Sequence, residues 1–169
     1  MDKSAEDLRI EKHRAYVKTL PMKRMASGVL IRDANKRILM VKPSYKSVLE
    51  IPGGVVEANE SPYQACKREL KEELEIELVI ERLLSVDYNK ANDPRTESLM
   101  FIFYGGDIES DITERIKVDG KEILSFEFMT LQEIKGKTTE TLFRRLEMSF
   151  NAIENQSTFY LENQCSIKK

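Results

Sequence analysis

Residues Pro52 to Ile76 read PGGVVEANESPYQACKRELKEELEI, and the rest of the chain is best understood outward from them. The stretch carries a helix start specified three ways. Ser61 suits the N-cap, Pro62 the first helical position, and Gln64 stands three residues after Ser61, which completes a capping box. At 100° per residue Tyr63, Cys66, Leu70 and Leu74 share one apolar stripe, which predicts a helix over 62–74. Glu69, Glu72 and Glu73 then project together along the edge of that stripe, an unusual place for charge.

Carboxylates at i, i+3 and i+4 repel, costing a helix roughly 0.2–0.5 kcal/mol per like-charged pair. Arg68 and Lys71 offset part of this and leave the cluster in place. A hard divalent cation resolves the conflict, since Mg²⁺ takes a few carboxylate oxygens together with water and substrate phosphate. Gly53 and Gly54 let the backbone turn tightly and bring a carbonyl toward the same point. A Glu- and Lys-rich helix is usually just a solvated face, so the spacing of the whole stretch has to carry the reading.

That spacing resembles the Nudix box, GX5EX7REUXEEXGU, where U is a bulky aliphatic residue. Gly54 is followed after five residues by Glu60 and after seven more by Arg68-Glu69-Leu70-Lys71-Glu72-Glu73-Leu74-Glu75-Ile76. Every specified position agrees except Glu75, which stands where the pattern has glycine. The departure falls at the helix exit, where a left-handed residue is expected. The resemblance implies a Nudix-type α/β/α sandwich with a mixed central β-sheet, and a hydrolase acting on the diphosphate linkage of a nucleotide derivative. It implies that Glu69, Glu72 and Glu73 bind Mg²⁺ or Mn²⁺ with the Gly53 carbonyl, that Arg68 holds these glutamates in place, and that Glu60 supports the loop–helix junction. Glu69 is the box candidate for general base. Glu122 resembles an accessory metal-binding glutamate of MutT-type members, and Asp87, Asp93 and Glu97 are weaker candidates for the base.

The flanking sequence supplies an α/β (α+β) pattern. Residues 4–18 read as a charged helix with Leu8, Tyr16 and Leu20 as inward contacts, ended near Pro21. Strands are expected at Met25–Arg32, Arg37–Val41, Ile76–Asp87, Ser98–Tyr104 and Ile123–Met129, with a short extended piece at Val48–Ile51. Lys42–Ser47 and Tyr88–Glu97 read as loops, and Gly105-Gly106 as the end of a strand pair. Thr130 suits the cap of a short helix, and Thr139–Asn155 a last helix with Leu142, Leu146, Phe150 and Ile153 inward. The division expected is a helical extension over 1–20, the hydrolase domain over 21–156 and a loosely held polar tail over 157–169.

Composition narrows the partners. The 27 basic and 29 acidic residues leave a net charge of −2, which gives no drive toward a nucleic acid polymer. No apolar run is long enough to span a bilayer. The charged N-terminus lacks a hydrophobic signal region, and with two cysteines this points to the cytoplasm. His13, the one histidine, sits in a charged helix as a solvated residue, so a metal site must use oxygen. Cys66 reads as a small core residue. The partner expected is a small nucleoside diphosphate derivative, of the MutT kind or an ADP-ribose-like sugar nucleotide, with room for a homodimer. Its phosphates have Lys42, Lys46 and Arg95 as candidate contacts and its base or ribose Tyr45 and Tyr88, each also readable as an ordinary surface residue. Competing readings are a nonhydrolytic nucleotide sensor and isomerase chemistry on an isoprenyl diphosphate. The first would be favoured by a lost box glutamate. The second needs a reactive cysteine, and Cys66 is badly placed for it.

Overall fold

The computed structural model describes residues 4–92 and 94–166. Its elements follow in the order α1 (Ala5–Thr19), β1 (Arg24–Asp33), β2 (Ile38–Pro43), β3 (Gly53–Val55) and α2 (Pro62–Leu74). They continue as β4 (Arg82–Asn89), β5 (Ser98–Ile108), α3 (Ser110–Thr113), β6 (Ile123–Met129) and α4 (Leu131–Ile134). The chain closes with α5 (Glu140–Glu154), β7 (Phe159–Glu162) and β8 (Cys165–Ser166). Among the described residues no helix is long and apolar enough to cross a membrane.

One mixed sheet runs in the order β6-β2-β1-β5-β4-β7-β8, with β3 paired to β1. The β1–β5 and β4–β7 pairs are parallel and the others antiparallel. Strand alternation explains why consecutive residues of β1 are all buried. Val29 and Ile31 face the core under α2, and Leu30 faces the core under α5. Likewise Leu39 and Val41 of β2 turn to the α2 side, Ile38 and Met40 to the α5 side. Continuous apolar strands with both faces covered make the expected α/β/α sandwich.

The box helix starts as its sequence requires. The Ser61 side chain accepts from the Gln64 N–H at 3.2 Å, and Gln64 Oε1 accepts from the Ser61 N–H at 2.9 Å. Cys66, Leu70 and Leu74 are buried, whereas Tyr63 lies at the margin, 42% exposed, with its ring edge-on to Phe103. The helix ends at Glu75 with φ 53° and ψ 26°, the left-handed conformation, and its N–H bonds back to the Leu70 carbonyl.

Several expectations need correction. Leu8, Tyr16 and Leu20 do not turn inward; no residue of α1 is buried. Residues Ile76 to Ile80 form no strand, and the strand begins at Arg82, although Ile76 and Ile80 are buried. Gly105-Gly106 does not close a strand pair but lies within β5, where the register against β1 slips between Leu30 and Arg32. A Cβ on Gly105 would stand 2.7 Å from Val29 Cγ1, so glycine there admits the close approach of β1 and the bulge passes through the pair. Lys42 and Pro43 belong to β2 rather than to a loop. The described part of the polar tail, residues 157–166, is tied to the sheet: Leu161 of β7 is buried and pairs with Asp87 of β4.

A glutamate held left-handed suffers Cβ crowding that glycine escapes. Glu75→Gly should therefore stabilise the protein by up to about 1 kcal/mol, seen as a rise of roughly 2–4 °C in Tm. A fall in Tm would mean that the helix entropy lost to glycine outweighs the relief.

Candidate metal and phosphate site

Gly53 and Gly54 of β3 lie against β1, opposite Gly28 and Ser27. A Cβ on Gly53 would fall 2.2 Å from the Ser27 carbonyl oxygen, and one on Gly54 would fall 2.2 Å from Glu69 Oε1. Glycine at both positions is thus what lets the box helix dock its carboxylates on the end of the sheet.

Arg68 organises that docking. Its Nε and Nη2 donate to the two carboxylate oxygens of Glu60, both at 3.0 Å. Its Nη1 donates to Glu69 Oε1 at 2.8 Å and Glu72 Oε2 at 3.0 Å, and Nη2 also reaches the Val55 carbonyl. The Glu60 bonds raise the Arg68 pKa most, and the same contact holds the Glu60 carboxyl below its ordinary value. Bidentate pairing of this kind uses the whole guanidinium fork, which lysine could not supply.

Glu73 is treated differently. Its side chain is buried, and Oε2 accepts the Gly53 N–H at 2.9 Å. It forms no ion pair among the described residues. Burial pushes its carboxyl up to about 8; the Gly53 N–H lowers it, and the charges of Glu69, Glu122 and Glu50 raise it. Burial also raises Glu69, against the pull of Arg68. These carboxylates face one cleft of about 360 Å³, at the small end of the roughly 300–1,000 Å³ of small-molecule sites.

Strand order lays out the cleft. Glu122 before β6 and Tyr45 after β2 stand on one side, joined by a bond from the Ser44 N–H to the Glu122 carbonyl at 2.8 Å. Gly53, Glu69 and Glu73 occupy the middle, and Met100 and Ile102 of β5 with Arg145 of α5 line the other side. Lys46 lines the cleft and pairs with Glu50 at 2.8 Å.

Not every candidate gathers here. Glu72 stays on Arg68 outside the cleft lining, its side chain 59% exposed. Lys42 donates to the Ser47 carbonyl, Tyr88 to Glu97 beside Lys23, and Arg95 sits in an exposed bridge with Asn92; none lines the cleft. Asp87 is buried beneath Arg145, a setting for structure rather than for a base. Asp93 lies outside the described residues. Arg145 and Glu50 escaped the sequence reading. Arg145 had a legible signal, a charged residue three after Leu142 on the inward face of α5.

Among the described residues no three acidic, histidine or cysteine side chains are drawn together into a metal site. Arg68 and the Gly53 N–H hold the box glutamates apart instead. The donor set still fits a hard cation. It is all oxygen, and Glu73 is a buried carboxylate with no opposite charge, raised by three neighbours of its own sign.

The NUDIX domain family model matches residues 22–147. Among curated protein sequences none matches the chain. Solved structures share the fold. A MutT protein from Methanosarcina mazei Go1 is 22% identical, with 82% of this chain and 100% of that one covered at a TM-score of 0.63. A UDP-X diphosphatase is 17% identical, covering 95% and 76% at 0.69. An ADP-ribose pyrophosphatase from Streptococcus suis 89-1591 is 18% identical, covering 83% and 99% at 0.60. At these identities the likeness speaks for the fold alone.

The Glu73 shift predicts a pH effect. An unfolded glutamate titrates near 4.5, whereas the folded group keeps its proton up to about 8. Folding takes up a proton in that window, so stability falls as pH rises through it. The Tm of metal-free protein should drop from about pH 6 to about pH 9, and Glu73→Gln should flatten the drop. Parallel melting curves for the two proteins would count against a neutral, buried Glu73.

Proposed function

We propose that this chain, which belongs to the NUDIX domain family, hydrolyses the diphosphate linkage of a nucleoside di- or triphosphate derivative with the help of Mg²⁺ or Mn²⁺. The observation that carries the reading is Glu73, buried without a cation beside the half-buried Glu69 at a cleft sized for a small molecule. Nothing in an inert surface helix would keep a carboxylate there. Glu69, Glu73 and the Gly53 carbonyl would hold the metal, with Glu72 recruited from Arg68 and Glu122 approaching across the cleft. When bound, the metal neutralises the diphosphate and lowers the pKa of bound water.

The protein's own groups do the remaining work. Arg68 keeps Glu60, Glu69 and Glu72 in register through the bonds described above, so that the box enters the reaction already ordered. The Gly53 N–H fixes one oxygen of Glu73, whose side chain lines the cleft. Glu69, raised by burial, is the carboxylate suited to take a proton from attacking water. A nonhydrolytic sensor is the alternative, and the intact set of box glutamates speaks against it.

A panel of nucleoside diphosphate derivatives, assayed with Mg²⁺ or with EDTA, tests this. At least one member should be cleaved only with metal. Glu72→Gln and Glu73→Gln should each lower kcat by orders of magnitude while the fold survives. Full turnover in EDTA, or near-normal kcat in both variants, would overturn the mechanism.

A further inference from the structure

Arg145 is placed to do more than support the fold. Its side chain is 7% exposed and that of Asp87, its partner, 0%. Nε and Nη2 donate to Asp87 Oδ2 at 2.9 and 2.7 Å, and Nη2 also reaches Asn89 Oδ1 at 3.2 Å. Gln164, in the turn between β7 and β8, completes the cluster. Its backbone N–H donates to Asp87 Oδ1 at 3.0 Å, and its Nε2 to Asp87 Oδ2 at 3.0 Å and Asn89 Oδ1 at 2.7 Å.

The third guanidinium nitrogen, Nη1, donates to no acceptor among the described residues. It is not sealed in either, because Ser157 Oγ is the one buried side-chain polar atom there that lacks a partner. Arg145 lines the cleft, so Nη1 is a donor presented to whatever enters beside Ala26, Met100, Ile102 and Leu142.

Three constraints define that group. The arginine charge is balanced by Asp87, so a phosphate placed here would add an uncompensated charge beside apolar walls. The nearby acceptors, Asp87 and Asn89, are already used by Arg145 and Gln164, so a hydroxyl or amino group would find no acceptor for its proton. The surrounding walls are apolar and suit a flat ring. A carbonyl oxygen on an aromatic heterocycle meets all three.

We propose that Arg145 Nη1 reads the nucleobase of the substrate by donating to a ring carbonyl, and so selects bases with an exocyclic carbonyl over adenine. This rests on the proposed function only for the orientation, with the diphosphate at Glu69 and Glu73 and the base directed to the far side of the cleft. The remaining donor is left unpaired by adenine's amino group, which is the way a polar site rejects an analogue.

Inosine and adenosine monophosphates share one ring shape and differ at position 6, carbonyl against amino. Their binding to the full chain, measured by calorimetry in metal-free buffer, separates the base contact from catalysis. Wild-type protein should bind inosine monophosphate about tenfold tighter. Arg145→Lys, which keeps a cation for Asp87 and removes Nη1, should bring the two affinities together. Equal affinities in wild type, binding of neither nucleotide, or an unchanged preference in a folded Arg145→Lys would overturn the proposal. Should Arg145→Lys fail to fold, the wild-type comparison decides alone. Equal affinities in wild type with metal-dependent hydrolysis intact remove this inference and leave the hydrolase; a wild-type preference without metal-dependent hydrolysis removes the hydrolase and leaves the base contact.

Discussion

Glu73 is 6% exposed, and the one hydrogen bond to its carboxylate comes from the backbone N–H of Gly53. Much of the site's architecture answers to that arrangement. For the N–H to reach it, β3 must lie tight on β1, and only a residue without a Cβ can pass 2.2 Å from where Ser27 presents its carbonyl. For Glu69 to stand beside it, Gly54 must also be bare. The Ser61–Gln64 capping box then sets where the helix starts, and so which residues reach the sheet end. Keeping Glu73 buried without a counter-charge costs stability locally, as functional sites commonly require.

The neighbouring charges are handled by one residue. Arg68 donates to three glutamates and a backbone carbonyl, so one cation offsets most of the like-charge repulsion along α2. Glu73 is left out of that arrangement. The difference separates a clamp that is stable on its own from a carboxylate that gains most from an incoming ion.

How far the sequence was legible depended on whether the deciding contact was local. The capping box, the buried stripe Cys66-Leu70-Leu74 and the left-handed Glu75 are set within a few residues and could be read directly. The exposure of Leu8, Tyr16 and Leu20 could not be, because apolar spacing shows that a face exists and not that anything covers it. Gly105-Gly106 carries the usual mark of a turn, yet its role depends on Val29 and Ile31, more than seventy residues earlier. The tail misled for the same reason. Phe159–Glu162 is short and polar-flanked, and only the parallel edge of β4 makes it a strand. At the site, the box residues were legible by pattern, whereas Arg145 needed the cluster of Asp87, Asn89 and Gln164 to acquire meaning.

Two arginines therefore act on the cleft in different ways, Arg68 through the glutamates it holds and Arg145 as part of the lining. Arg68 sits among an excess of acid, a quarter of its side chain exposed, and its charge is part of a balance that a metal ion would shift. Arg145 is paired with a single carboxylate whose other oxygen is occupied by the Gln164 N–H, so its charge is already balanced. In a pocket of low dielectric the first setting favours added positive charge and the second favours none. Once a divalent cation is held among the glutamates, a ligand that satisfies both is anionic beside the cation and neutral, flat and acceptor-bearing beside Arg145. A nucleotide of the proposed kind has that polarity built into it, and the turn between β7 and β8 that pins Asp87 makes residues beyond α5 part of what sets the Arg145 side of the cleft.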